Sequence, residues 1–184
     1  MVSNMNEKNK VDSQAFLEEN YEFRSVLPEE TEEAAKIESD CFPPNEACAF
    51  SHMAERIQKA PELFLVAKDR RTGKLAGFLN GLSTDKEALT DDFFTDADTY
   101  EPEGKNVMLL GLAVLPQYRG QGLARELVKR YREREKEKGR RCLVLTCKEE
   151  KVAMYKKFGF CDRGIGVSNW GGERWHEMSL PTQG

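Results

Sequence analysis

Histidine is nearly missing from this 184-residue chain: His52 and His176 are its only two. A histidine-rich metal site therefore lacks material, and both residues read as ordinary surface or sheet positions. Cysteine is present but unpatterned. Cys41, Cys48, Cys142, Cys147 and Cys161 make an odd number and never take a CxxC spacing. That excludes a zinc pattern and a disulfide framework, so no metal is expected and the setting should be reducing. The N-terminus has no apolar h-region, and no apolar run approaches membrane-spanning length. A cytoplasmic protein without a membrane partner is expected. No internal repeat and no interdomain linker is visible. A net charge of -4 and a pI near 5.4 argue against a general nucleic-acid binder.

What is present is unevenly placed. Residues 85–103 carry many carboxylates against the single cation Lys86, whereas residues 119–157 tip towards Arg and Lys. The basic half suits a polyphosphate ligand and the acidic segment could draw in a cation, although either run alone also fits a solvated face. Residues 1–20 form a polar, mobile leader, and residues 21–181 one domain. Alternation over 21–27 predicts a strand, and Pro28 with the following carboxylates opens a helix that stops at Phe42-Pro43-Pro44. A second helix is predicted over 51–59. A hairpin follows over 63–67 and 75–79, then a short helix near 87–93. Strands are predicted at 107–115, 141–147, 160–167 and 174–180, and helices at 122–139 and 151–158. This order describes an α/β fold: one mixed sheet with helices on both faces.

The most informative stretch runs over 109–124. An apolar strand breaks at Pro116, turns through Arg119-Gly120-Gln121-Gly122, and launches a helix at Leu123 and Ala124. That order aims unpaired backbone N–H groups, at the positive end of a helix dipole, towards one point. An anion belongs there, and a pyrophosphate fits. Gly120, Gly122 and Ala124 keep the backbone bare enough for close approach, and Arg119 and Arg125 add charge.

The Arg-x-x-Gly-x-Ala unit over 119–124 resembles the acetyl-coenzyme A signature of the Gcn5-related N-acetyltransferases. Tyr155-Lys156-Lys157-Phe158-Gly159-Phe160 resembles the tyrosine-x-x-Phe-Gly-Phe block of the same superfamily. Within it, the segments 37–46, 61–63, 112–114 and 147–160 are similar to arylalkylamine (serotonin) N-acetyltransferases. The vertebrate enzymes place two histidines where this chain has Met108 and Leu110, so it resembles the histidine-lacking, non-vertebrate branch.

The resemblance implies a single-domain acetyltransferase fold and acetyl-CoA as donor. It implies cofactor contacts from Leu112, Ala113 and Val114, whose N–H groups would polarise the acyl carbonyl, and from Arg119, Gly120, Gln121, Gly122, Leu123, Ala124 and Arg125. Tyr155 would be the general acid, giving its proton to the departing thiolate. An acceptor pocket is expected at Phe42, Pro43 and Cys48, with Trp170 as a further candidate. No histidine base carries over. Loss of the ammonium proton through water, assisted by Glu38, Asp40 or Glu46, takes its place. Cys147 ends a strand without a histidine partner, which favours direct attack over an acyl-enzyme.

The leading expectation is acetyl transfer to a small primary amine, an arylalkylamine or polyamine, by a monomer or homodimer. A protein or peptide N-acetyltransferase is the second reading, and a non-catalytic acyl-CoA-binding module the third.

Overall fold

Apolar stretches of period two and a helical stripe of period near 3.6 combine into one sheet covered on both faces. The structure, a computed structural model, describes the backbone of residues 2–184 and the side chains of residue 7 and residues 9–184. In chain order the elements are α1 (Val2–Asn20), β1 (Tyr21–Ser25), α2 (Thr31–Cys41), α3 (Phe50–Lys59), β2 (Phe64–Asp69) and β3 (Leu75–Thr84). There follow α4 (Asp92–Thr95), β4 (Asn106–Val114), α5 (Leu123–Glu137), β5 (Cys142–Cys147), α6 (Glu149–Lys157), β6 (Cys161–Ile165) and β7 (His176–Pro181). The seven strands lie in the order β1-β2-β3-β4-β5-β7-β6. The β4–β5 pair is parallel and the other pairs are antiparallel.

Helix α5 buries Leu123, Leu127, Val128 and Tyr131 on one face of the sheet. The Tyr131 hydroxyl donates to the Leu63 carbonyl at 2.9 Å, so its polar end is satisfied inside the core. On the other face α2 and α3 bury Ala34, Ile37, Met53 and Ile57 against Phe64 and Phe78. Full burial of each large side chain contributes roughly 1.5–3 kcal/mol.

One irregularity positions the site. Asn80 pairs with Gly111 and Gly81 with Leu109, so Leu110 is an extra residue on β4. Such a bulge bends and twists its strand. β4 pairs with β5 only through Asn106, Met108 and the Val107 between them. Beyond that point β4 stays with β3 and β5 stays with β7, so the sheet splits open between Leu112 and Thr146.

The element order agrees with the sequence pattern, with three differences. The polar stretch expected to be a mobile leader carries helix α1. Its Leu17 is buried and its Glu18 pairs with Arg130, contacts that a sparse apolar pattern does not announce. β3 runs five residues past the predicted end at 79, because Leu82, Ser83 and Thr84 continue the ladder with β4 after the bulge. The short acidic helix lies at Asp92–Thr95 rather than 87–93.

Candidate active site

The glycine-rich turn between β4 and α5 takes the shape its residues require. Gly120 has φ 81° and Gly122 φ 85°, a left-handed region that costs other residues about 1–2 kcal/mol each. The N–H groups of residues 120–125 have no hydrogen-bond partner among the described residues, and the first helical bond is Glu126 N–H to Gly122 C=O. Together they make an anion cradle at the start of α5. Around it stand Arg119, Arg125, Lys129 and Lys151. Arg119 also donates from Nε to the Val114 carbonyl at 2.8 Å, and Arg125 lies over the Phe158 ring. Gln121 is different. Its side chain accepts from the Tyr21 hydroxyl at 2.6 Å and lies outside the cleft.

A cleft of 1380 Å³ runs from this cradle to the split, past Leu112, Ala113 and Val114. On the far side lies a smaller pocket of 100 Å³, bounded by Glu38, Phe94, Leu110, Gly111 and Trp170. Phe42, Leu112, Thr146, Tyr155 and Trp175 line both spaces, so the two meet at the split. Pro43 lines the large cleft; Cys48 lines neither and instead donates its N–H to Glu38.

Tyr155 is held edge-on between Phe158 and Phe160, with centroid distances of 5.9 and 5.6 Å. Burial, with Cys147 nearby, pushes its phenol well above the ordinary tyrosine value. It therefore remains a proton carrier at any physiological pH. Cys147 turns its sulfur onto Met178 Sδ at 3.4 Å, and burial raises its thiol to about 11. A thiol so raised is a poor nucleophile at neutral pH.

The three carboxylates near the acceptor side are in different situations. Asp40 is a half-exposed partner of Lys36 at 2.8 Å, and Glu46 pairs with Lys148. Glu38 is 4% exposed; its Oε1 accepts from the Cys48 N–H at 2.9 Å and its Oε2 has no partner among the described residues. Burial raises its carboxyl pKa, against the opposing pull of the Cys48 N–H and the nearby Arg56 guanidinium. Arg56 donates to Asn80 Oδ1 at 3.3 Å and to the Phe94 carbonyl at 2.7 Å. Phe94 in turn stacks on Trp170 at 4.9 Å, and the Trp170 indole donates to the Glu46 carbonyl. His52 and His176 line neither space; His176 contacts Asp162 at 3.1 Å.

Sequence patterning did not single out Thr146, Trp175, Phe94, Asn80 or Arg56. Thr146 follows from the position of the split, while the others converge from distant segments and leave no local signature. Among the described residues, no group of three or more His, Cys, Asp or Glu is placed to hold a metal ion. No helix among them is long and apolar enough to cross a membrane.

An anion cradle, a split strand pair that can seat an extended acyl arm, and a second pocket across the gap define an acyl transferase class. Comparisons with known proteins agree and go further. The acetyltransferase (GNAT) family matches residues 31–160, and the chain belongs to that family. It is an acetyl-CoA-dependent N-acetyltransferase. Serotonin N-acetyltransferase of Mesocricetus auratus is 31% identical over 143 residues, covering 76% of this chain and 67% of that protein. The loading GNATL domain of CurA from Lyngbya majuscula superposes with a TM-score of 0.73 at 16% identity, over 89% of this chain and 98% of that one. The yncA acetyltransferase from Salmonella typhimurium, solved with its cofactor acetyl-CoA, gives a TM-score of 0.62 at 16% identity, over 90% and 95% of the two chains.

Proposed function

We propose that this enzyme moves the acetyl group of acetyl-CoA directly onto a small primary amine, an arylalkylamine or a polyamine. The observation that carries this reading is the pair of spaces meeting at the β4–β5 split, with Tyr155 on the wall they share. Acetyl-CoA supplies a thioester acyl group. The N–H groups of residues 120–125 are placed for its diphosphate, with Arg119 and Arg125 alongside. Leu112, Ala113 and Val114 present backbone groups to the acyl arm where β4 has left β5. Tyr155 gives its phenolic proton to the departing sulfur. Cys147, raised and turned away, takes no part, so no acyl-enzyme forms.

A small acceptor is favoured over a basic peptide by the state of the acidic segment. Several of its carboxylates have partners inside the chain: Asp91 accepts from Ser168, Asp92 pairs with Lys86, Asp98 with Lys59, and Glu101 accepts from the Asp85 N–H. Those pairs offset part of the negative charge that would steer a basic peptide. The test is thiol release from acetyl-CoA with tryptamine, phenethylamine, spermidine and a basic peptide. Release with one or more small amines and not with the peptide is expected. Thermal stabilisation by CoA with no release for any acceptor would leave a binding module.

A further inference from the structure

Glu38 carries a buried carboxyl group with only one of its two oxygens satisfied among the described residues. It is 4% exposed, yet Oε2 has no partner among the described residues, and Asn80, 1% exposed, leaves its Nδ2 equally unpartnered. Orphaned polar atoms at this depth are costly, and a catalytic or ligand-binding role is one of the few explanations for keeping them. Both atoms face one spot on the bulged strand. A Cβ added at Gly111 would lie 3.4 Å from Glu38 Oε2 and 3.2 Å from Asn80 Nδ2. Arg56, 3% exposed, holds Asn80 by its oxygen, which turns Nδ2 towards Gly111. Gly111 itself lines the small pocket, as do Leu110 and Tyr155.

From this geometry we infer that Glu38 Oε2 receives the acceptor's ammonium group and takes its proton, so that the small pocket admits primary amines arriving as cations. The inference rests on the amine-acetyltransferase reading above. The charged or titratable groups facing Glu38 are Arg56 from α3, Cys48 from the loop after α2, and Glu46 and Tyr155 around the same pocket. The arginine balances the carboxylate at a distance without quenching it, because its hydrogen bonds go to Asn80 and Phe94. The step balances. Glu38 removes one proton from the ammonium, and the freed lone pair attacks the thioester carbonyl carbon. The C–N bond forms and the C–S bond breaks. Tyr155 protonates the sulfur, the nitrogen's surplus proton restores the phenol, and Glu38 returns its proton to solvent. Ammonium and thioester become amide, thiol and one released proton.

The full chain, Glu38→Gln and Gly111→Ala are compared by titrating tryptamine beside saturating CoA, and by following kcat/KM with acetyl-CoA from about pH 6 to about pH 10. Glu38→Gln is expected to lose about 100-fold in kcat/KM near neutrality, a loss that shrinks as the amine begins to arrive neutral, with CoA affinity unchanged. Gly111→Ala should weaken tryptamine binding about tenfold, and add little in the Glu38→Gln background. A loss equal at every pH would mean a structural role and overturns the proposal, as does unchanged tryptamine binding in both variants. Should Glu38→Gln fail to fold, Gly111→Ala decides alone. If the wild type turns over no amine, the transferase reading fails separately. Tryptamine binding beside CoA that Glu38→Gln abolishes would then still establish the site, and no such binding would remove it.

Discussion

The two sides of the split are built on opposite principles. The proposed donor side is a cleft of 1380 Å³ that ends at the unpartnered N–H groups of the turn into α5, with Arg119, Arg125, Lys129 and Lys151 around them. The proposed acceptor side is a pocket of 100 Å³ whose lining includes several aromatic side chains and the buried carboxyl group of Glu38. A donor shared by many acyl transferases needs only a diphosphate cradle and a slot for an extended arm, which backbone geometry supplies whatever the neighbouring side chains. Recognising one amine among many needs side chains with particular shapes and charges. Tyr155 stands where the two meet.

Breaking the shared wall should have the largest effect. Tyr155→Phe removes a hydroxyl for which no hydrogen-bond partner is found among the described residues, while both aromatic contacts remain. We expect kcat to fall by about 10²- to 10⁴-fold, the usual worth of a positioned acid, with CoA affinity and thermal stability nearly unchanged. Steady-state kinetics with calorimetry of CoA binding checks this. Equal losses in kcat and CoA affinity would make the phenol a cofactor contact rather than the acid.

The donor side should break through its backbone. Gly122 sits at φ 85° as the residue before α5, and a valine there is strained as well as branched. Gly122→Val should weaken CoA binding about 100-fold, roughly the effect of mispositioning several charge-assisted N–H donors. The acceptor side should be untouched, so tryptamine affinity, measured separately, is the control. Trp170→Ala works the other way. Losing one stacked aromatic contact is worth about 0.5–1.5 kcal/mol, so the amine KM should rise about three- to tenfold with CoA affinity held.

This contrast also explains what the sequence could disclose. The donor cradle was legible because its parts are consecutive: strand, proline, two glycines and helix within residues 109–125. The element order was legible for the same local reason, through period-two and helical patterns. The proposed acceptor pocket was legible only in part, through the candidates Phe42, Trp170 and Glu38. Glu38 lies on α2, Asn80 on β3, Gly111 on β4 and Trp170 near β7, and only the sheet's register brings them together. Even the bulge at Leu110 has no sequence signature, since an apolar run reads the same with one extra residue. Among Glu38, Asp40 and Glu46, nothing in composition separates a solvated carboxylate from an orphaned one. Burial does.

That burial has a consequence for stability which sharpens the comparison. Glu38 has a raised pKa in the folded protein. The folded state therefore holds its proton more tightly than the unfolded chain, so this group supports stability in acid and loses that support as pH rises through the folded value. Glu38→Gln should accordingly be at least as stable as the wild type at neutral pH, an edge that closes as pH falls towards about 4. Denaturant unfolding at several pH values checks this. A variant less stable at pH 7 than at pH 4, relative to wild type, would show that the carboxylate is a structural partner of Arg56.

The smallest expected effect is at Cys147, and its smallness is informative. The thiol sits at the end of β5 on the donor side, close enough to Tyr155 to help raise its pKa. A sulfur in that place invites a two-step mechanism through an acyl-enzyme. Three observations oppose it: the thiol is raised to about 11, its sulfur lies against Met178 Sδ, and no histidine lines the cleft to activate it. Cys147→Ala should then keep kcat within roughly twofold and cost about 1 kcal/mol of stability through the small void left beside Met178. Initial rates with both substrates varied should intersect, as sequential addition requires, rather than run parallel. A collapse of kcat with parallel lines would move the chemistry from the split to the sulfur and leave Tyr155 a packing residue.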